Sequence, residues 1–412
     1  MRINAGNVPE PDELYGREHL LEYLWEQLAS HNLMLIAPRR FGKTGMMRHV
    51  LKKPRDGFLP LYFDLEDVDA PEEFCLRVLR AVLDQAPLRK LLNETKRLPM
   101  RLQEWIQGSV KEAEFAGASL KLRELISEGW QRPARRLFLA LEKSDARIVF
   151  IFDELQDMLI RLQSIDPTLA LEFVEWFRAV RLQQKDTLRR HRFIIGGSIG
   201  IDVVLRKLEC AHRINDFERL YVEPLARPDA RRLFRDLAEG RLEVDDDLID
   251  EALDLLGSDV PYFIQLFMSQ LAQLPGTHRR PLSSQQLHKV YSTRLLGPTC
   301  RSYFDHYRRR LARRDKAVEA AAMKILKIVA QRERVSQSEL FEVYRRTRKK
   351  MASDIEFNEI MADLECEWYL QIDNTTNEYR FYVGVIRDWW RRWYPDVGRP
   401  SAAANERRHR EQ

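Results

Sequence analysis

Leu33-Met-Leu-Ile-Ala-Pro-Arg-Arg-Phe-Gly-Lys-Thr44 decides how the rest of the chain is read. Leu33 to Ile36 is a short apolar run of the kind that fills a buried strand. Pro38 lacks a backbone donor and Gly42 loosens the chain, so the strand cannot continue through Ala-Pro-Arg-Arg-Phe-Gly. Beyond it, Met46, Met47, Val50 and Leu51 fall on one helical face. Strand, tight loop and helix with Gly42-Lys43-Thr44 at the junction is a phosphate-binding arrangement. Backbone N–H groups and the helix N-terminus face an anion there. Pro38, Arg39, Arg40, Phe41, Gly42, Lys43, Thr44 and Gly45 are the candidate cradle. Lys43 is placed to reach β/γ phosphates and the Thr44 hydroxyl to ligate Mg²⁺. The first position of the motif, usually glycine, is Ala37, which is tolerable only at negative φ.

A second stretch supports the first. Ile148-Val-Phe-Ile-Phe152 is an unbroken apolar run suited to a parallel strand buried on both faces. It ends in Asp153-Glu154, at the edge of the sheet where ligands bind in open α/β folds. Asp153 is a candidate Mg²⁺ ligand through water, and Glu154 a candidate to orient or deprotonate an attacking water. The plain alternative is a helix-capping Asp153 and a solvated Glu154, which the presence of Gly42-Lys43-Thr44 disfavours.

With 412 residues, the chain exceeds the usual limit of one hydrophobic core, so two or three domains are expected. Its 44% hydrophobic content suffices for folding, and no apolar run approaches the ~18–20 residues that cross a bilayer. The N-terminus lacks a signal-type apolar region. Cys75, Cys210, Cys300 and Cys366 have no paired spacing, so neither a zinc site nor a disulfide framework is indicated, and a cytoplasmic location is expected. A net charge of +5 permits an acidic partner without demanding one.

Taken in order, the pattern divides the chain into a core at 1–225, an all-helical module at 226–298, a third module at 299–395 and a disordered tail at 396–412. Pro9 and Pro11 mark an extended lead-in. Tyr15-Gly-Arg-Glu18 then opens an amphipathic helix, and Leu59 to Leu65 is a second strand. Region 86–135 is an elaboration, with a helix at 101–106 and a hairpin flanking Gly117. Phe193-Ile-Ile-Gly-Gly-Ser198 is a fourth strand; Ser198 is either a γ-phosphate sensor or a plain strand-end residue. Leu220 to Leu225 supplies a fifth. In the helical module, Pro261 follows a break at Gly257 and is placed to lean on an adenine. In the third module, Ser336-Gln-Ser-Glu339 is a capping box between two helices. A third helix near Asp354–Glu367 and a hairpin follow, the pattern of a winged helix.

With these residues placed, the chain resembles the AAA+/STAND-type P-loop ATPases of the archaeal and bacterial ATPase family. The resemblance rests on Tyr15-Gly-Arg-Glu18, the phosphate loop, Phe152-Asp-Glu-Leu155, Gly197-Ser-Ile-Gly200, Pro261-Tyr-Phe263 with Gln265, and Leu364-Glu-Cys-Glu-Trp-Tyr-Leu370 ahead of Arg387-Asp-Trp-Trp390. It implies an α/β fold with sheet order 5-1-4-3-2, a helical lid and a C-terminal winged helix. By carry-over, ATP and Mg²⁺ are the cofactors, Lys43 binds phosphate, Thr44 and Asp153 hold the metal, and Glu154 activates water. Ser198 senses γ-phosphate, and Gly16, Arg17 and Pro261 line the adenine. The arginine that several relatives place after Ser198 is missing. A trans-acting arginine is therefore not located among Arg178, Arg181, Arg206 and Arg213. The function implied is an Mg²⁺-dependent ATPase acting as a slow switch on a protein partner, with self-association open. A DNA-loading ATPase of the origin-recognition kind is the alternative.

The third-module helix at 354–367 carries Asp354, Glu356, Glu359, Asp363, Glu365 and Glu367 and no Lys or Arg, which is repulsive toward a polyanion. Any DNA contact is expected from Arg345–Lys350, Arg308–Arg314 or Arg391–Arg392, without sequence specificity. Trp389, Trp390 and Trp393 are expected to pack the terminal helix rather than to stack bases.

Overall fold

The computed structural model describes residues 3, 6, 8–94, 129–182, 191–197, 200–275, 281–312 and 315–395. The chain divides into two compact units, Asn7–Glu223 and Pro224–Gln412 with Met1–Gly6.

The first unit is built on five parallel strands: β1 Asn32–Ile36, β2 Phe58–Asp64, β3 Arg147–Asp153, β4 Arg192–Gly197 and β5 Phe217–Tyr221. Their order is β2-β3-β4-β1-β5, the order expected. Ile148 to Phe152 are fully buried, as an unbroken apolar run in a two-sided sheet requires. Phe150, Phe152, Phe177 and Phe193 pack together, with centroid separations such as 5.4 Å for Phe150–Phe193. Phe74, Phe138 and Trp176 extend this cluster. Truncating one such buried ring costs about 3–5 kcal/mol.

Register carries the site. Phe152 lies level with Ile195 on β4, and Gly196 and Gly197 lie level with Leu35 and Ile36 on β1. Asp153 therefore comes level with Gly196, one strand away from the chain entering the phosphate loop. The lead-in is less extended than its prolines predict. Pro11–Glu13 forms a 3₁₀ turn, and Glu10 and Asp12 pair with Lys52, the last residue of the helix Lys43–Lys52, and with Lys53, its C-cap.

In the second unit the helices Arg227–Ala238, Asp246–Leu256, Pro261–Leu271 and Ser284–Val290 come first. Asp245 caps the second by accepting from Leu248 N–H, and Gly257 ends it at φ 64°. Then come Arg301–Leu311, Lys316–Arg332, Gln337–Arg348, Asp354–Cys366 and the terminal helix Gly384–Trp393. Strands β6 Val335–Ser336, β7 Leu370–Asp373 and β8 Glu378–Phe381 form an antiparallel sheet in the order β6-β8-β7. Ser336 and Glu339 form the capping box that the sequence predicts. Trp389 and Trp390 are fully buried, and Trp393 donates to the Leu296 carbonyl, so the tryptophans pack as expected. The helical segments before and after residue 299 are joined directly. The Tyr291 hydroxyl donates to Asp388 at 2.8 Å, and Phe304 stacks between Phe263 and Trp389. Gly257 and Gly384 meet so closely that a Cβ on either would lie 2.8 Å from the other's Cα.

The helix at 101–106, the hairpin around Gly117, the tail at 396–412, Ser198, Arg313 and Arg314 lie outside the described residues.

Candidate active site

The phosphate loop leaves β1 at Ala37, whose φ is not positive, as an alanine there requires. The turn is made instead by Arg40 at φ 75° and Gly42 at φ 101°. Gly42 is the N-cap of the helix Lys43–Lys52 and brings no side chain to it. The first helical bond runs from Met46 N–H to the Gly42 carbonyl. The N–H groups of Lys43, Thr44 and Gly45 thus point out of the helix end, the geometry that receives an anion. Lys43 is only 5% exposed. Its ammonium donates to the carbonyls of Ala37 at 2.6 Å and Pro38 at 3.2 Å, inside the loop's own curve.

Two strands over, the C-terminal end of β3 brings Asp153 to the same place. Thr44 Oγ1 donates to Asp153 Oδ2 at 2.7 Å, and the Tyr62 hydroxyl donates to the same oxygen at 2.9 Å. The backbone N–H of Glu154 donates to Oδ1 at 3.1 Å. Burial, and then the charge of Asp153, push the Tyr62 hydroxyl pKa up, so it stays a donor. Gly196 makes the room: a Cβ there would stand 2.6 Å from Asp153 Oδ1.

Glu154 caps the helix Leu155–Ile165 in a left-handed conformation, φ 53°, which turns its side chain away from the helix run. Burial pushes its carboxyl above the ordinary range, against the pull of Lys43 and Arg39. Gln156 Nε2 donates to Glu154 Oε2 at 3.1 Å. Asp157, one residue on, pairs with Arg39 at 2.7 Å, and Arg39 also reaches Glu66 at 3.3 Å. Burial disfavours the Arg39 charge, but Glu154, Asp157 and Glu66 together raise its pKa, so the guanidinium is firmly cationic. The loop arginine thereby holds the phosphate loop to the helix that follows the acidic pair.

Among the described residues, no cluster of three or more His, Cys, Asp or Glu side chains forms a metal cage. The hard oxygens of Thr44 and Asp153 instead match the habit of Mg²⁺, which takes one or two protein oxygens and completes its shell with water and phosphate. The fit is good.

Other sequence candidates have mixed placements. Gly16 sits at φ 57° and Arg17 caps the helix Glu18–Leu28. The Arg17 guanidinium is buried, donating to the carbonyls of Glu223 at 2.6 Å and Phe41 at 3.4 Å. Its side chain braces the phosphate loop and the end of the fifth strand's connection. Pro261 heads a helix of the second unit. Of the four arginines weighed for a trans-acting role, Arg181 is fully buried and locked on Asp216. Arg178 donates to the His212 carbonyl and Arg213 to Glu175. Tyr62, Gln156, Asp157 and Gly196 were not singled out from sequence. The clustering of polar residues in Asp153-Glu-Leu-Gln-Asp157 and the Gly196-Gly197 pair at a strand end were the available signals; Tyr62 gave none.

No protein-family model matches the sequence, and no curated protein does either. Among solved structures, a Walker-type ATPase of Pyrococcus abyssi superposes with a TM-score of 0.65 at 16% identity, over 95% of this chain and 100% of that one. The ORC2 protein of Aeropyrum pernix, solved in ADPNP–ADP complexes, superposes with a TM-score of 0.50 at 14% identity, over 95% of this chain and 97% of that one. At these identities the likeness is one of fold. This α/β architecture is the P-loop ATPase architecture.

Proposed function

We propose that this protein is an ATP-binding switch of the AAA+/STAND class that hydrolyses ATP slowly with Mg²⁺ and passes its nucleotide state to a protein partner. The observation that carries the reading is the convergence of Lys43, the Thr44–Asp153 hydrogen bond and the half-buried Glu154 at one edge of the sheet. In this reading the loop N–H groups and Lys43 bind the β and γ phosphates. Thr44 and Asp153 hold Mg²⁺, which neutralises phosphate charge when bound. Glu154, held by Gln156, orients the attacking water and accepts its proton. Gly16 and Arg17 are proposed at the adenine and Ser198 at the γ-phosphate.

The module at 226–298 is read as a lid and the module at 299–395 as a winged helix. Tyr291–Asp388, the Gly257–Gly384 contact and the Trp393–Leu296 bond tie them together, so a shift of one carries the other. A DNA-loading role is the lesser reading. The helix Asp354–Cys366 contains no basic side chain, although Glu356 and Glu365 are engaged by Arg348 and Tyr379 rather than free to repel. Arg391, Arg392 and Arg308 are also spent internally, on the Ala330 and Ser292 carbonyls and on Glu319.

Thermal denaturation with Mg·ATP tests the central claim. At a hundredfold excess over Kd, binding to the native state adds about 2.7 kcal/mol. Lys43→Ala removes most of that gain; an equal shift in this variant places the nucleotide elsewhere.

A further inference from the structure

Tyr62 lies on β2, which pairs with β3 so that Tyr62 is level with Ile151 and Asp64 with Asp153. Side chains two residues apart on a strand share a face, so Tyr62 and Asp153 lie on one side of the sheet. Phe63 takes the other side, against Phe150 and Phe152. Two residues along a strand are roughly 6.6 Å, a distance that a phenol spans and a short polar side chain does not. The Tyr62 hydroxyl accordingly reaches forward to donate to Asp153 Oδ2 at 2.9 Å. Its ring is met on the way by Arg48 of the helix Lys43–Lys52, 5.9 Å from the ring centroid.

Asp153 is 2% exposed, and both of its oxygens are engaged. Oδ2 accepts from the Thr44 hydroxyl at 2.7 Å as well as from Tyr62, and Oδ1 accepts from the Glu154 N–H at 3.1 Å. A carboxylate offers about four lone-pair sites, so most of its capacity is taken. Gripping a metal with both oxygens would break one of these bonds, whereas contact through a water would not. Mg²⁺ keeps several waters in a strict octahedron, while Ca²⁺ takes about six to eight oxygens and accepts carboxylates by both. Thr44 is itself a proposed metal ligand and the Glu154 donor is backbone. Tyr62 is the side chain left to hold the carboxylate.

We propose that Tyr62 is a positioning residue for the metal: it fixes the Asp153 carboxylate and closes Oδ2, so that the site favours Mg²⁺ over Ca²⁺. The inference rests on the reading of Thr44 and Asp153 as the metal-holding pair and adds the residue that sets its preference.

Calorimetry of the full chain with the non-hydrolysable analogue ADPNP reads the result in EDTA, in Mg²⁺ and in Ca²⁺. Tyr62→Phe is expected to bind ADPNP in EDTA as the wild type does, which also shows that it folds. The increment that Mg²⁺ adds should fall roughly tenfold, the usual effect of removing a hydrogen-bond partner from a metal ligand. The Ca²⁺ increment should fall less, so the preference for Mg²⁺ narrows. In an Asp153→Asn background the same change should remove nothing more, because Tyr62 acts only through that carboxylate. An undiminished Mg²⁺ increment, an equal fall for both metals, or a further loss on top of Asp153→Asn overturns the proposal and leaves the nucleotide site standing. Weakened ADPNP binding in EDTA overturns it by making the role of Tyr62 structural. A wild type that binds ADPNP without any Mg²⁺ increment removes the metal-holding pair and the proposal together.

Discussion

The Thr44 hydroxyl donates to Asp153 Oδ2 at 2.7 Å, across 109 residues of sequence. That bond joins the helix after β1 to the tip of β3, and it sets two hard oxygens side by side at the helix end proposed to receive phosphate. Asp153 accepts from Tyr62 as well, so its position does not depend on Thr44 alone. Asp153→Asn keeps the shape and loses the charge. It should leave metal-free nucleotide binding near the wild-type level and abolish the increment that Mg²⁺ adds, read by calorimetry with and without the metal. Full Mg²⁺ dependence in the variant would remove Asp153 from the metal site.

Glu154 is separable from binding. The Gln156 amide and the left-handed cap fix where its carboxylate lies, and nothing in that geometry requires it to hold phosphate. Glu154→Gln should therefore retain Mg·ATP while phosphate release falls by roughly 10²-fold or more. Turnover at the wild-type rate would show that another group handles the water.

Gly196 gives a steric test of the same corner. A Cβ there would sit 2.4 Å from Met47 Cε and 2.6 Å from Asp153 Oδ1. The methionine end can swing aside, whereas the carboxylate is held by three donors. Gly196→Ala is expected to destabilise the protein by about 1–3 kcal/mol through overpacking. It should also lose the Mg²⁺ increment. Adding Met47→Ala should relieve the crowding at the methionine without restoring the metal effect. Recovery of both together would mean that Met47, rather than Asp153, is what Gly196 accommodates.

How much of this was legible in the chain follows from the range of each interaction. The strands could be read because Leu33–Ile36 and Ile148–Phe152 are apolar runs whose burial is a local property. Caps such as Ser336 with Glu339 close within three residues and were equally visible. The loop at 37–45 and the acidic pair at 153–154 stand out as candidates because their chemistry is concentrated in a few consecutive positions. Arg40 and Glu154 at positive φ carry no sequence mark, since neither residue type favours that region. Tyr62 and Gly196 act only through register, which places them against a carboxylate on a neighbouring strand. The six carboxylates of the helix at 354–367 looked equivalent in sequence. Only the packing shows that Glu356 and Glu365 are consumed internally while Asp354 and Glu359 are exposed.

The acid stability of the first unit should depend on one ion pair whose arginine is buried. Arg181 donates to both oxygens of Asp216, at 2.8 and 2.9 Å, and lies against Phe177 and Phe217. Its side chain is 0% exposed and that of Asp216 28%. Burial by itself would raise the Asp216 pKa, but the hydrogen bonds and charge of Arg181, with a further bond from Asn32, hold it below the ordinary carboxylate value. A carboxyl with a depressed folded-state pKa contributes stability that is present above its unfolded value of about 3.9 and is lost as pH falls through the folded value. Asp216→Asn leaves the Arg181 charge buried without its counter-ion, so near pH 7 it should cost about 3 kcal/mol. The gap between wild type and variant should then close as the pH drops below about 4, because protonation of Asp216 brings the wild type to the same condition. Urea midpoints of both proteins across this range measure it. A gap that stays constant down to acid pH would show that Asp216 acts through shape and hydrogen bonding rather than through its charge.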